Sequence, residues 1–384
     1  MKHGAFSRLL CLLLPLTLFS CMPAHAADCG AKAMILYEPR TGTVLEEKNA
    51  DERMLIASTT KIMTALIVLE RSDLRERVTV TAGQCAVEGS SMYLRPGEEH
   101  SVEELLYGLL LASGNDAAVA LAEHTAGSVE AFASLMNEKA AQLGLRNTHF
   151  SNPHGLDAPE HFSSARDLAL LTANAMQNET FCRMFSAASY SCGGRILRNH
   201  NKLLEEYDGC IGGKTGYTRA AGRTLVSCAE RDGLRLICVT LSDPNDWADH
   251  AAAYDAAFAE YVFSSFPADS WRTLPVISGK VSAVSLRCDT PYLLLRKESE
   301  IQTVIELPRF VFAPVRTGDA IGTMTVKVDG KTVLRQDILA AQDAPLDRSM
   351  RLMPWARFRG MLARYDDPKA QTVMISRNTL EESA

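Results

Sequence analysis

Ala57-Ser58-Thr59-Thr60-Lys61-Ile62-Met63-Thr64-Ala65-Leu66 decides how the rest of this chain is read. A Ser/Thr cluster ahead of good helix formers predicts a helix opening here, which places Ser58 and Lys61 at i and i+3 on one face, their polar ends within reach. A serine hydroxyl is a poor nucleophile until a base takes its proton, and a desolvated lysine of lowered pKa is such a base. Free backbone N–H groups at the helix start suit the oxyanion formed in acyl transfer. Taken alone, the pair also describes an N-cap serine with a solvated lysine one turn later, so other segments must decide.

Around this stretch, 384 residues at 47% hydrophobic content suffice for two domains, or for one with a sizeable appendage. A net charge of -6 without a basic stripe argues against nucleic acid as a partner. Residues 1–26 read as a secretory signal: Lys2 and Arg8, an apolar run over 9–19, then the small-residue cleavage site Ala24-His25-Ala26. The mature protein is therefore expected to be exported to the cell envelope, at the outer face of the cytoplasmic membrane, or secreted. No later apolar run is long enough to span a bilayer. Of ten cysteines, Cys11 and Cys21 fall in the signal, and an even remainder permits disulfides without requiring them. One pair is argued against: a two-residue turn at Asp232-Gly233 sets Cys228 opposite residue 237, so Cys228 and Cys238 face opposite sides of a sheet. No Cys or His spacing indicates a metal.

Residues 32–47 read as two strands joined by a turn, leading into the Ser58 helix. Ser101 with Glu104 forms a capping box, and Val102, Leu105, Leu106, Leu109 and Leu110 form the buried side of the helix it opens. That helix stops at Ser113-Gly114-Asn115; further helices are predicted from Asp116, over 129–144 and over 167–176. Residues 190–241 turn to strands, and 247–263 return as a helix. The order predicts an α/β (α+β) domain, an antiparallel sheet sandwiched by helices over 27–266. After a composition shift at 267–275, short alternating strands at 276–286, 292–295, 302–307 and 322–328 predict a small all-β domain over 275–342. In the tail, 346–384, Trp355, Phe358, Leu362 and Tyr365 recur at helical spacing among arginines. Such a basic amphipathic segment can touch an anionic membrane surface peripherally; a docked helix or a disordered tail are the alternatives.

Two more segments carry chemistry: Ser113-Gly114-Asn115 on a turn between helices, and Lys214-Thr215-Gly216 on a Gly-flanked strand. Each is weak singly, as the chance Ser376-Arg377-Asn378 in the tail shows. Together, in this order, they form the Ser-x-x-Lys, Ser-x-Asn and Lys-Thr-Gly set of penicillin-binding proteins and class A β-lactamases. Strand alternation points Lys214 and Gly216 one way and Thr215 the other, so joint service in one site implies a local twist or bulge.

With these segments, Asn152-Pro153-His154-Gly155-Leu156, Asn201-Lys202-Leu203-Leu204 and Gly318-Asp319, the chain resembles the serine-type D-alanyl-D-alanine carboxypeptidases of the low-molecular-mass penicillin-binding group over about 33–342. The resemblance implies a penicillin-recognising, β-lactamase/transpeptidase-like domain followed by a β-rich one. It implies Ser58 as the acylated nucleophile, Lys61 as its general base, and Ser113, Asn115 and Lys214 as substrate-binding, proton-relaying groups. Thr215 and Gly216 would line the pocket for the terminal carboxylate, and the N–H groups of Ser58 and Tyr217 the oxyanion hole. The implied substrate is a peptidoglycan stem peptide ending in D-Ala-D-Ala, with β-lactams as covalent inhibitors and no cofactor.

One departure stands out. Members of the family carry an arginine shortly after the second core strand that assists with the carboxylate; here the stretch is Ser242-Asp243-Pro244-Asn245-Asp246-Trp247-Ala248-Asp249-His250, leaving Arg219 or His250 as possible substitutes. His154, His161 and His200 read as structural hydrogen-bonders. A class A β-lactamase needs a deacylating glutamate on the 152–167 loop, whose only glutamate, Glu160, sits in a different setting. The remaining alternatives are an endopeptidase acting on cross-links and a non-catalytic penicillin-binding sensor, though a sensor is expected to have lost Ser58, Lys61 or Lys214.

Overall fold

A computed structural model describes residues 29–264, 273–288, 293–347 and 371–377. Five antiparallel strands form the central sheet, in the spatial order Thr43–Lys48, Ala33–Glu38, Leu234–Leu241, Gly222–Arg231, Cys210–Thr218. Alternation assigns each residue a side: Ala33 and Ile35 join one core, Met34 and Leu36 the other. The first core is completed by helices that include Lys61–Arg71, Val102–Leu110, Asn115–Ala126 and Ala165–Ala175. The second is closed by Ala253, Tyr254, Ala257 and Phe258 of the Asp246–Glu260 helix. The fold is thus the predicted sheet between helical layers.

Lys61–Arg71 is buried from Lys61 through Val68. A helix buried on all faces belongs to the middle of a domain, and each large apolar side chain such as Ile62 or Leu66 stabilises it by about 1.5–3 kcal/mol. Ser101 caps its helix as read: its Oγ accepts from the Glu104 N–H at 3.1 Å, and Glu104 Oε2 accepts from the Ser101 N–H at 2.9 Å. Asp232 and Gly233 form the tight turn at φ 50° and 76°, with Cys228 opposite Ile237, so Cys228 and Cys238 enter different cores. The cysteines of the described residues are free thiols.

Several boundaries differ from the sequence reading. The helix expected to reach 263 ends at Glu260; the β-branched and aromatic Tyr261–Ser264 extends and pairs with Leu293–Arg296, joining the end of the first unit to the second. The stretch 276–286 is two antiparallel strands, Thr273–Ile277 and Ala283–Arg287. They belong to a seven-stranded sheet with its own apolar core. The outermost strand of that sheet is Gln371–Arg377, paired with Ile301–Leu307, so the segment 346–384 is not wholly a tail. Its pairing partner offers an open ladder of backbone groups, which outweighs the weak local signal. Trp355, Phe358, Leu362 and Tyr365 lie outside the described residues. No helix among the described residues is long and apolar enough to cross a membrane.

Candidate active site

Ser58 sits on a single 3-10 turn, Ala57–Thr60, and the α-helix proper starts at Lys61. The cap position is Ile56 and no side chain caps the turn, so the Ser58 hydroxyl is not spent on a backbone N–H as a capping serine would be. The turn is fixed by its neighbours. Thr59 Oγ1 donates to the Ile56 carbonyl at 2.6 Å, and Thr60 Oγ1 donates to the Ala57 carbonyl at 2.8 Å. Two glycines let other segments approach. A Cβ on Gly155, at φ 92°, would lie 1.9 Å from the Ala57 carbonyl oxygen, and one on Gly216 would lie 2.9 Å from the Ser58 nitrogen.

Lys61 is fully buried; its Nζ lies 2.9 Å from Ser58 Oγ and donates to Asn115 Oδ1 at 2.7 Å and to the His154 carbonyl at 2.6 Å. As a neutral amine Lys61 has two protons, which Asn115 Oδ1 and the His154 carbonyl take, and its lone pair is left to face Ser58 Oγ. Burial, then the nearby Lys214 charge, push its pKa well below the usual lysine value; Asp116 opposes them. Asn115 is held in turn by its Nδ2, which donates to the Glu88 carbonyl at 2.6 Å.

Ser113 adopts φ 58° in the turn between its two helices, and its Oγ accepts from Lys214 Nζ at 3.0 Å. Lys214 also donates to the Thr215 carbonyl at 2.8 Å, and burial lowers its pKa to about 7. The expected bulge between Lys214 and Gly216 is absent. Gly212 through Thr218 pair regularly with Cys228 through Gly222, and the irregularity lies before Gly212. Thr215 reaches the cleft for another reason: its strand is the edge of the sheet.

The three motifs therefore converge from a 3-10 turn, an interhelical turn and an edge strand. They wall a cleft of about 570 Å³ lined by Ser58, Ser113, Thr215, Gly216 and Tyr217, with Ser90, Asn199, His200 and Lys202 beside them. Tyr217 stands at its mouth, 68% exposed. As expected, His161 is structural, its Nε2 bonded to Thr60 Oγ1 at 2.8 Å, whereas His154 matters through its carbonyl. Neither proposed substitute for the missing arginine fits. His250 is wholly buried, bonded to Ser227 and Thr240, and Arg219 is exposed away from the cleft lining.

Sequence reasoning missed Arg223, Asp246 and Trp247, which complete the cleft. Arg223 Nη2 donates to the buried Asp246 Oδ1 at 2.5 Å, and its guanidinium carbon lies 5.3 Å from the Trp247 ring centre. Its Nε is buried without a hydrogen-bond partner. Register shows why Arg223 arrives here: it pairs with Tyr217, next to the Lys-Thr-Gly triplet. Asp116 was also missed as a positioning group; it accepts from the N–H of Met92 and of Leu94, both at 3.0 Å, and so fixes the segment beside Ser90.

Comparison with known proteins gives the same picture. Residues 21–245 match the D-alanyl-D-alanine carboxypeptidase family, and residues 266–345 match the C-terminal domain of penicillin-binding protein 5. The chain is 34% identical to D-alanyl-D-alanine carboxypeptidase DacF of Bacillus subtilis, covering 82% of this chain and 85% of that one. It is also 34% identical to DacC of Escherichia coli, covering 88% and 90%. Penicillin-binding protein 5 from Haemophilus influenzae superposes with a TM-score of 0.68 at 29% identity, over 83% of this chain and 98% of that one. With the matched length, the fold and the cleft agreeing, the chain belongs to the D-alanyl-D-alanine carboxypeptidase family of serine peptidases.

Proposed function

We propose that Ser58 is the nucleophile and Lys61 the general base of a reaction that removes the terminal D-alanine from peptidoglycan pentapeptides. The observation that carries this reading is the 2.9 Å contact between Ser58 Oγ and the fully buried Lys61 Nζ, at the wall of an open cleft. Lys61, neutral because it is desolvated beside a second lysine, takes the hydroxyl proton as Ser58 attacks the carbonyl between the last two D-alanines. The N–H groups of Ser58 and Tyr217 receive the oxyanion. Ser113 and Lys214, bonded at 3.0 Å, pass a proton to the leaving amine; D-alanine departs and water hydrolyses the acyl-enzyme. Asn115, buried and holding Lys61, meets the substrate in this reading, while the cleft-lining Thr215 and Gly216 dock the extended peptide along the sheet edge.

Arg223 takes the terminal carboxylate in this reading. It is a cleft-lining guanidinium braced by Asp246, with donors left over for a planar, two-oxygen anion. β-Lactams acylate the same serine. Residues 1–26 direct export to the cell envelope, 27–266 and 275–342 act as catalytic and β-rich units, and the basic tail contributes peripheral membrane contact. Incubation with a fluorescent penicillin, with Ser58→Ala alongside, followed by an assay of D-alanine released from a D-Ala-D-Ala peptide, tests the reading. Labelling and release by the native chain, both lost in the variant, support it; labelling without release would leave a sensor instead.

A further inference from the structure

Outside the cleft, Cys29, Asp243 and Asp249 come together from the two ends of the first unit, one ligand-capable atom of each within 4.8 Å of the others. Their spacing in sequence carries no metal signature; only the fold assembles them. Asp243 is completely buried, and its Oδ2 has no hydrogen-bond partner. Its Oδ1 accepts from the Asn245 N–H at 2.9 Å, and Asp249 Oδ2 accepts from the Gly30 N–H at 2.9 Å, so backbone donors orient both carboxylates. The Lys48 ammonium is engaged elsewhere, on the Cys29 carbonyl at 2.9 Å. A wholly buried carboxylate oxygen beside a second carboxylate is costly; a proton shared between Asp243 and Asp249 offsets part of that cost, and a bound cation, which neutralises both, removes it.

We propose that Cys29, Asp243 and Asp249 form a site for a borderline divalent transition metal, zinc by preference, with water in the fourth position. One thiolate and two carboxylates suit zinc, whereas the sulfur ligand disfavours magnesium and calcium. Bond lengths of about 2.3 Å to sulfur and about 2.0–2.2 Å to oxygen require ligand atoms about 3.5 Å apart, a small contraction of the present cluster. The Asn245 and Gly30 N–H groups supply the outer hydrogen bonds that hold such ligands. On binding, the Cys29 thiol gives its proton to the buffer and a sulfur–metal bond replaces the sulfur–hydrogen bond; no electrons are exchanged. The metal would strap residues 29–30 to the segment carrying Asp246 and Trp247, the two residues that brace Arg223 at the cleft. This site does not depend on the assigned reaction.

The test uses the mature chain stripped of metal with a chelator and titrated with Co²⁺. The expected result is one Co²⁺ per chain with a thiolate-to-cobalt charge-transfer band, displaced by Zn²⁺, and one proton released on Zn²⁺ binding. At a hundredfold excess over its Kd, Zn²⁺ should raise Tm by roughly 5 °C. Cys29→Ser should lose the band, and Asp249→Asn should weaken binding at least about tenfold, both folding normally by circular dichroism. Absence of the band in the native chain, its persistence in Cys29→Ser, or unchanged affinity in Asp249→Asn would overturn the proposal.

Discussion

Ser58 and Ser227 each stand within hydrogen-bond reach of a basic nitrogen, on opposite faces of the same sheet. Ser58 Oγ is 2.9 Å from Lys61 Nζ. Ser227 Oγ is 2.6 Å from His250 Nδ1 and 2.8 Å from the Tyr254 hydroxyl, and His250 Nε2 continues to Thr240 Oγ1 at 3.0 Å. By distance alone, and by the usual preference for histidine as a base, the second pair is the better nucleophile–base dyad. Yet Ser227, His250 and Tyr254 are sealed completely between the sheet and the Asp246–Glu260 helix. Burial pushes His250 down to about 3, so the ring is neutral, both its nitrogens are satisfied and the cluster is a closed polar network that rigidifies the core. What separates chemistry from packing here is access: Ser58 lines the cleft, and Ser227 meets only its own fold.

Paired alanine substitutions give the largest contrast. Ser58→Ala should reduce D-alanine release by at least about 10³-fold, as removal of other serine nucleophiles does, with no loss of Tm. Ser227→Ala should keep release within about threefold while costing about 1–3 kcal/mol of stability, because His250 and the Tyr254 hydroxyl lose a buried partner. Steady-state release assays and thermal unfolding read both. Loss of activity in Ser227→Ala at native Tm would break the distinction.

Much of the working face was legible because its chemistry is local. Ser58 and Lys61 lie one turn apart, Ser113 and Asn115 share a turn, and Lys214 to Gly216 are contiguous; each triplet carries its own backbone context. Alternation likewise placed Cys228 and Cys238 in different cores. What escaped depends on pairing across strands. Arg223 reaches the cleft because its strand sets it opposite Tyr217, and Asp246 meets it from the next helix; no local pattern encodes that meeting. The His154 carbonyl was equally invisible, since a backbone oxygen has no residue type to read. Gln371–Arg377 reads as tail in sequence because its strand partner among the described residues, Ile301–Leu307, lies some distance back along the chain.

Arg223 offers a finer contrast within the open face. Arg223→Ala should lower kcat/KM for a peptide ending in a free D-alanine carboxylate by about 10–100-fold, corresponding to a charged hydrogen bond of about 1.5–3 kcal/mol. The C-terminally amidated peptide should lose far less, since it offers the guanidinium no anion. Equal losses for both peptides would mean that Arg223 only braces Trp247 and Asp246.

The smallest effects are those of pH: His154, His161 and His250 give both faces a low window, and the buried lysines add a higher one on the working face alone. If the proposed roles hold, with Lys61 acting neutral and Lys214 charged, the acid limb of kcat/KM should follow Lys61 and the alkaline limb Lys214 at about 7. Above that pH, release should fall by up to about tenfold per unit. Stability moves the other way. Lys214 has a folded pKa of about 7 against 10.5 in the unfolded chain, so between those values the unfolded state binds the extra proton; stability rises as pH climbs through the window and is lost as it falls back toward 7. His250, at about 3 against 6.5, does the same in a lower window, so its contribution is already complete where Lys214 begins to act. Between about pH 7 and 9 the Tm of Lys214→Met should therefore climb less than that of the native chain, with Lys61 supplying the rest of the rise and the buried Cys228 and Cys238 thiols opposing it only at higher pH, while the acid decline below pH 6.5 stays in place. Measuring Tm across both windows in the two chains checks this, and an undiminished alkaline rise in the variant would show that the buried ammonium is not its source.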